Sequence, residues 1–236
     1  MQWMGDMLAA VYDARDTQTL LEEVKAAARR LGFDYCAYGL RTPLPVTKPR
    51  IVMLSNYGRS WCDHYHANGY LLLDPTVRHC QRSMQPVVWG DEIFADAPQL
   101  WDEARQAGLR HGWAQSCLEG SKGAGMLTLA RSGEGIGACE LRAHETRMRW
   151  LANVAHQGFS RLLSDSWQPQ PQSPLSERER EVLRWAADGK TLNEVADILT
   201  LSIETVKFHT RNAGAKLGAA NRTAAVARAA LLGLLA

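Results

Sequence analysis

Residues 166 to 174 read SWQPQPQSP, with three prolines and three glutamines in nine positions, and no other stretch limits the fold of this 236-residue chain so strongly. The run removes backbone donors and apolar anchors together, so it predicts an extended linker of the polyproline kind. The chain therefore divides into a first domain over residues 1–165, a linker over 166–174 and a second domain over 175–236. The first is long enough to bury a core unaided, and the roughly 60 residues of the second suffice for a small helical module.

Hydrophobic content of 46% and charged content of 22% are those of globular chains, which sets aside the disordered and membrane-embedded classes. No apolar run approaches the roughly 18 residues of a spanning helix. The start, MQWMGDMLAAVYDARD, has no basic leader and is interrupted by Asp6 and Asp13, so a cytoplasmic protein with no membrane partner is expected. Five cysteines (Cys36, Cys62, Cys80, Cys117 and Cys139), odd in number and without a CxxC pair, predict reduced thiols. From Thr200 onward five basic residues accompany one acidic residue, a local balance of +4 that suits a polyanion.

In the first domain, TQTLLEEVKAAARRL (17–31) places Leu20, Leu21, Val24, Ala27, Ala28 and Leu31 on one helical stripe, with Gly32 as its stop. Strands are predicted at 35–42, 50–55, 86–89, 112–118 and 124–131, each bounded by Gly, Pro or Asn. A long helix over about 140–164 carries Leu141, Met148, Leu151, Ala155, Phe159 and Leu162 on one seam. One sheet with helices packed on it follows: an α+β chain whose N-terminal domain is an α-β-α sandwich, joined to a small all-α domain.

The second domain opens with PLSERERE, where Ser176 and Glu179 form a capping box ahead of Val182, Leu183 and Ala186, and Gly189 ends the helix. Thr191 and Glu194 repeat the signal ahead of Val195, Ile198 and Leu199, so two short capped helices predict a helix-turn-helix. In the third helix Ile203, Val206, Thr210, Ala213 and Leu217 form the inward stripe. Its opposite face carries Glu204, Thr205, Phe208, Arg211 and Asn212, with Lys207 on the flank. Such a face suits the major groove: Arg and Asn can read base edges, Phe208 can touch a thymine methyl, and Lys207, Lys216 and Arg222 can approach phosphates. The module resembles the LuxR-type helix-turn-helix, whose pattern falls on Leu175, Ser176, Arg178, Glu179, Glu181, Val182, Leu183, Gly189, Lys190, Thr191, Thr205, Val206, Lys207, His209, Lys216, Leu217, Asn221, Arg222 and Ala225. NAGAK departs from the family, which usually has a large apolar residue near Ala213, and Gly214 inside the third helix costs about 1 kcal/mol against Ala.

The segment SNYGRSWCDHYHANGYLLLDPTVRH (55–79) concentrates aromatic and imidazole groups around Asp74. A phosphorylated receiver is set aside, because position 55 is serine and no lysine lies between Lys48 and Lys122. HYH at His64–His66 begins like the HxHxDH of metal-dependent lactonases but continues Ala67, Asn68, Gly69, so no metal site is expected. EGSKG has Glu119 where a nucleophile elbow needs glycine, and no catalytic constellation recurs, so no enzyme and no catalytic residue is predicted. Tyr57, Trp61 and Tyr65 lie at i, i+4 and i+8, a spacing that serves an ordinary core as well as a pocket. Asp74 in an apolar run needs strong hydrogen bonds, which a bound amide N–H can supply.

These residues resemble the autoinducer-binding domain of quorum-sensing LuxR-type regulators. The family pattern falls on Asn56, Tyr57, Trp61, Tyr65, Asp74, Pro75, Trp89 and Gly112, and the resemblance runs from near residue 15 to the C-terminus. It implies an N-acyl homoserine lactone as effector and no cofactor. By that resemblance Trp61 donates to the lactone carbonyl, Asp74 accepts the amide N–H and Tyr57 bonds the amide carbonyl. Tyr65 and Trp89 wall the pocket, Thr128 reaches an acyl-chain oxygen, and Val52, Leu73, Leu118 and Met126 set its depth. Expected partners are the lactone, a second copy of the chain held through the long helix, and double-stranded DNA with a two-fold symmetric site. The alternative is a regulator of the same fold answering to another small molecule or to oxidation of Cys62 and Cys80.

Overall fold

The computed structural model describes residues 2–118, 123–167 and 173–235, so the middle of the predicted linker, 168–172, lies outside the described residues. The chain divides into two compact units, the main break falling between Ser166 and Trp167, with Pro43–Pro49 grouped with the second. The first contains α1 (Gln2–Asp13), α2 (Thr17–Arg30), β1 (Tyr35–Arg41), β2 (Ile51–Ser55), α3 (Arg59–Ala67), a 3-10 turn (Tyr70–Leu72), α4 (Pro75–Cys80) and β3 (Val87–Val88). It continues through α5 (Pro98–Gln106), β4 (His111–Leu118), β5 (Ala124–Arg131) and α6 (Ala138–Trp167). The five strands lie within one residue of their expected ends, while α6 begins earlier and runs three residues farther than the periodicity indicated. Asp16 starts α2 by accepting the Thr19 N–H at 2.7 Å, and Gly32 ends it in the left-handed region at φ +87°.

The sheet is antiparallel in the order β2-β1-β5-β4-β3. Alternation along the strands gives it two unlike faces. One presents Cys36, Tyr38, Leu40, Trp113, Leu127 and Leu129, all almost wholly buried. On this side α6 is anchored, since Tyr38 stacks on Phe159 with centroids 4.5 Å apart and its hydroxyl lies 2.7 Å from His156 Nδ1. Helix α6 in turn packs on α2 and α1: Gly158 lies against Leu20, and Arg161 donates to the carbonyls of Val11 and Ala14, both at 2.8 Å. The other face presents smaller groups: Ala37, Gly39, Ala114, Ser116, Thr128 and Ala130. Over part of it lie α3, the 3-10 turn and α5, whose Tyr65, Tyr70, Leu100, Trp101 and Ala104 form one apolar cluster with Phe94, Leu109 and Ala130. The three layers are the expected α-β-α sandwich.

The second unit contains α7 (Glu177–Ala187), α8 (Leu192–Leu199), α9 (Ile203–Lys216) and α10 (Arg222–Leu231). Both capping boxes form: the Ser176 and Thr191 hydroxyls accept the N–H groups of Glu179 and Glu194, and each glutamate returns to the backbone of its cap. Ser202 and Asn221 cap α9 and α10 in the same way. Val182, Leu183, Val195, Val206, Ala213, Leu217, Ala225 and Ala229 make the core. Two residues expected inside are not: Ile198 is 42% exposed and Ile203 36%. Each helix here is short, so its apolar stripe drifts off the core at one end. The turn between α8 and α9 passes through Thr200 at φ +56°, a left-handed conformation that a β-branched residue rarely adopts.

Candidate effector site and nucleic-acid interface

Four segments surround the small-residue face of the sheet. Helix α3 carries Trp61, His64 and Tyr65 toward the 3-10 turn, where Tyr70 meets all three rings with centroids 5.9 to 6.5 Å away. Tyr57, just before α3, lies edge-on to Tyr35 of β1 at 6.1 Å. Trp89 follows β3, and its N–H donates to the Gly112 carbonyl at 2.8 Å. Its indole rests on the bare backbone of Gly112, where a Cβ would fall 2.3 Å from the ring. Only glycine admits this approach. The Trp89 indole N–H is buried without a hydrogen-bond partner.

Asp74 begins α4, with Pro75 at the first helical position. Its Oδ1 accepts from the Thr76 N–H at 2.8 Å and the Thr76 hydroxyl at 2.6 Å, and its Oδ2 accepts from the Tyr65 hydroxyl at 2.9 Å. A carboxylate offers about four acceptor sites, so Oδ2 retains one. No cation pairs with Asp74 among the described residues. Burial first, then the negative charge of Asp74, pushes the Tyr65 hydroxyl well above its ordinary pKa. Burial is also the main cause holding Tyr57 up, with smaller contributions from Cys36, Asp74 and Cys62. Both phenols stay protonated and available as donors.

The structure thus brings Tyr57, Trp61, Tyr65, Asp74 and Trp89 to one side of the sheet, and Thr128 lies on that face between Ala37 and Ala114. Tyr65 has a contact that spacing did not indicate: its hydroxyl donates to Asp74 Oδ2. Of the residues expected to set the depth, Met126 shares the Thr128 face, whereas Val52 pairs with Leu40 on the opposite one. Leu73 and Leu118 are exposed at 53% and 47%. Thr76, Tyr70 and Glu103 escaped the sequence reading. Asp-Pro-Thr is itself a helix-start signal and would have revealed Thr76; nothing local reveals the bonds of Glu103 to Tyr70 and His64, 33 and 39 residues away. For the thiol alternative, burial pushes Cys80 up to about 12, which disfavours the reactive thiolate. Cys62 Sγ is 3.7 Å from the Ser55 hydroxyl.

In the second unit, Glu204, Lys207, Phe208 and Arg211 are exposed along α9, with Thr205 and Asn212 half-buried beside them. Phe208 is 49% exposed with no apolar partner in either core cluster of its unit. Lys207 pairs with Glu204 at 2.7 Å, and the Thr205 hydroxyl lies 2.8 Å from that of Ser202. Lys216 has partners inside its own unit. Its ammonium donates to Glu179 Oε2 at 2.8 Å and to the Pro174 carbonyl at 3.1 Å, so it completes the domain from within. Arg222 likewise donates to the Lys190 carbonyl. Burial raises the Glu179 carboxyl, but Lys216 and the Ser176 cap outweigh it and hold the group below its ordinary value.

The two units define a class of protein: a domain built around an aromatic small-molecule site, in one chain with a helix-turn-helix. Residues 16–159 match the family described as autoinducer binding domain, and residues 173–229 the one described as bacterial regulatory proteins, luxR family. The chain is 41% identical over 235 residues to the transcriptional activator protein AnoR of Acinetobacter nosocomialis, with 99% of each chain covered. It is 35% identical to the HTH-type quorum-sensing regulator RhlR of Pseudomonas aeruginosa, covering 99% of this chain and 96% of that one. The crystal structure of Escherichia coli SdiA matches with a TM-score of 0.83 at 31% identity, covering 100% and 98%. The chain belongs to the LuxR family of quorum-sensing transcriptional regulators, pairing an autoinducer-binding domain for a small-molecule effector with a DNA-binding helix-turn-helix. These relatives are regulators of transcription and not enzymes. Among the described residues no helix is long and apolar enough to cross a membrane.

Proposed function

We propose that the effector is an N-acyl homoserine lactone, bound between the small-residue face of the sheet and the rings of Tyr57, Trp61, Tyr65 and Trp89, and that the liganded protein acts in the cytoplasm as a dimer on a two-fold symmetric DNA site. Asp74 carries this reading: a carboxylate steadied by neutral donors alone, with an acceptor position left on Oδ2. An amide N–H fits that position, while the indole of Trp61 takes the lactone carbonyl, Tyr57 the amide carbonyl and Thr128 an oxygen on the chain. Residues 1–165 would form the sensing and dimerising domain, with α6 as the contact between copies, 166–174 the linker and 175–236 the DNA-binding domain. In the dimer two α9 helices meet half-sites about one helical turn, roughly 34 Å, apart. Thr205, Phe208, Arg211 and Asn212 face the bases, Lys207 faces a phosphate, and Lys216 supports the helix through Glu179.

The test is mass spectrometry of small molecules extracted from protein expressed with a mixture of acyl homoserine lactones. Asp74→Asn is the informative variant, because asparagine caps a helix as well as aspartate and α4 survives. Its side-chain amide cannot supply the charged acceptor, so retention should fall about tenfold, the scale of one hydrogen bond to a charged group. A soluble protein that retains no lactone would overturn the assignment. Light scattering that finds a monomer with lactone and target DNA present would overturn the dimer.

A further inference from the structure

Glu103 lies on α5 outside the family pattern, yet it is tied to the rings that surround Trp61. Its Oε2 accepts from the Tyr70 hydroxyl at 2.5 Å and from His64 Nε2–H at 2.6 Å, while Oε1 accepts from Gln99 at 3.0 Å. Tyr70 is 4% exposed, so its ring belongs to the core while its hydroxyl reaches out to the carboxylate. The hydrogen bond from Tyr70 is the main cause holding Glu103 down at about 2, and the same bond raises the phenol to about 12. Both effects mark a carboxylate that stays ionised and a phenol that stays a donor across ordinary pH.

The two rings held by this carboxylate flank a third. Trp61 lies 6.2 Å from His64 and 6.5 Å from Tyr70 by ring centroids. His64 sits on the same helix as Trp61, one turn along, and Tyr70 belongs to the following 3-10 turn, so a single side chain on α5 fixes neighbours of Trp61 from two separate elements. An indole that donates one hydrogen bond must hold its plane within about 10 to 20° of the productive orientation. Rings pinned at their polar ends supply that constraint, whereas rings held only by apolar contact can turn.

We infer that Glu103 is a positioning residue for effector recognition: through Tyr70 and His64 it sets the orientation of the Trp61 indole, and so the strength of the hydrogen bond that Trp61 gives the ligand. This rests on the lactone reading above, in which Trp61 is the donor to the ring carbonyl. Glu103 touches no ligand atom and acts only through its two ring partners.

The test is a double-mutant cycle on the full chain, with N-octanoyl homoserine lactone as the probe and Trp61→Phe as the second change. Glu103→Ala in the otherwise native protein should raise the dissociation constant about tenfold, the scale of one lost charge-assisted hydrogen bond. In the Trp61→Phe background the same change should cost less than about twofold, because no indole donor remains to be oriented. Glu103→Gln keeps an acceptor for Tyr70 and should restore binding to within about threefold of native, since neutral hydrogen bonds are roughly half as strong as charge-assisted ones. If Glu103→Ala does not fold, Tyr70→Phe, which removes only the hydroxyl, takes its place in the cycle. Equal losses in both backgrounds, or native affinity in Glu103→Ala, would overturn the positioning role. No binding of the lactone by the native chain would overturn the lactone reading itself, and native affinity in Trp61→Phe would overturn the donor role of Trp61, so each failure is distinct from that of Glu103.

Discussion

Asp74 and Glu179 are both carboxylates built into the start of a helix, and the protein completes them differently. Glu179, 4% exposed, closes the capping box of α7 and receives the ammonium of Lys216, so every strong demand of the charge is met within the DNA-binding unit. Asp74 caps α4 with equal regularity but receives only hydroxyls and one N–H, with an acceptor position left over. In the same unit the indole N–H of Trp89 is buried without a hydrogen-bond partner. The difference separates a helix-start carboxylate completed by a cation of its own unit from one that keeps an acceptor position open. For the domain that holds Asp74, effector binding is also a stability term, about 2.7 kcal/mol at a hundredfold excess over the dissociation constant.

The largest expected effect comes from undoing the self-sufficient carboxylate. Lys216→Ala leaves Glu179 buried without a cation and should destabilise the DNA-binding unit by about 3 kcal/mol, read from its urea midpoint. The pH dependence has a definite sign. Because Glu179 is held below its ordinary value, its contribution is present above the unfolded carboxylate pKa of about 4.3 and is lost as pH falls through the lower folded value. Lys216→Ala should flatten that acid limb; an unchanged midpoint would show that the ion pair does not hold the module together.

A smaller effect tests whether the exposed face of α9 at Lys207 and Arg211, rather than Lys216 at its end, carries the contact with DNA. Arg211→Ala should cost about 1 to 3 kcal/mol on the cognate site and relax specificity at one base pair. Lys207→Ala should weaken all sequences alike and lower the salt slope by about 1. Filter binding or anisotropy at several salt concentrations separates the two patterns. The smallest effect is a gain. Gly214 lies in ordinary helical conformation, and a Cβ there would meet only the Ala219 carbonyl, at 3.4 Å. Gly214→Ala should stabilise the second unit by about 0.5 to 1 kcal/mol in the same urea titration.

What the sequence disclosed follows the range of each interaction. The strands appeared within a residue of their ends because alternation and Gly or Pro boundaries are local signals. Both capping boxes were equally plain, since donor and acceptor lie three residues apart. Helix α4 has only six residues and gives periodicity no room, while α5 begins with a proline signal that went unused. Helix α1 likewise had no cap to announce it. Within the site, the stripe of Tyr57, Trp61 and Tyr65 was readable from spacing, but the Tyr65 to Asp74 bond and the Glu103 bonds join separate elements. The bond of Lys216 to Glu179, 37 residues earlier, was hidden for the same reason, because a count of charge cannot show it.

The sheet shows the same division of labour at two of its glycines. Gly112 on β4 lies under the indole of Trp89, and Gly125 on β5 lies under the imidazole of His156, which reaches down from α6 on the opposite face. A methyl at Gly112 would fall 2.3 Å from the indole, and one at Gly125 would fall 2.2 Å from His156 Nδ1. A ring thus presses on each surface of the sheet at a position that carries no side chain. Alanine at 112 would meet the Trp89 indole and alanine at 125 the His156 imidazole, so each glycine seats its ring by having no side chain of its own.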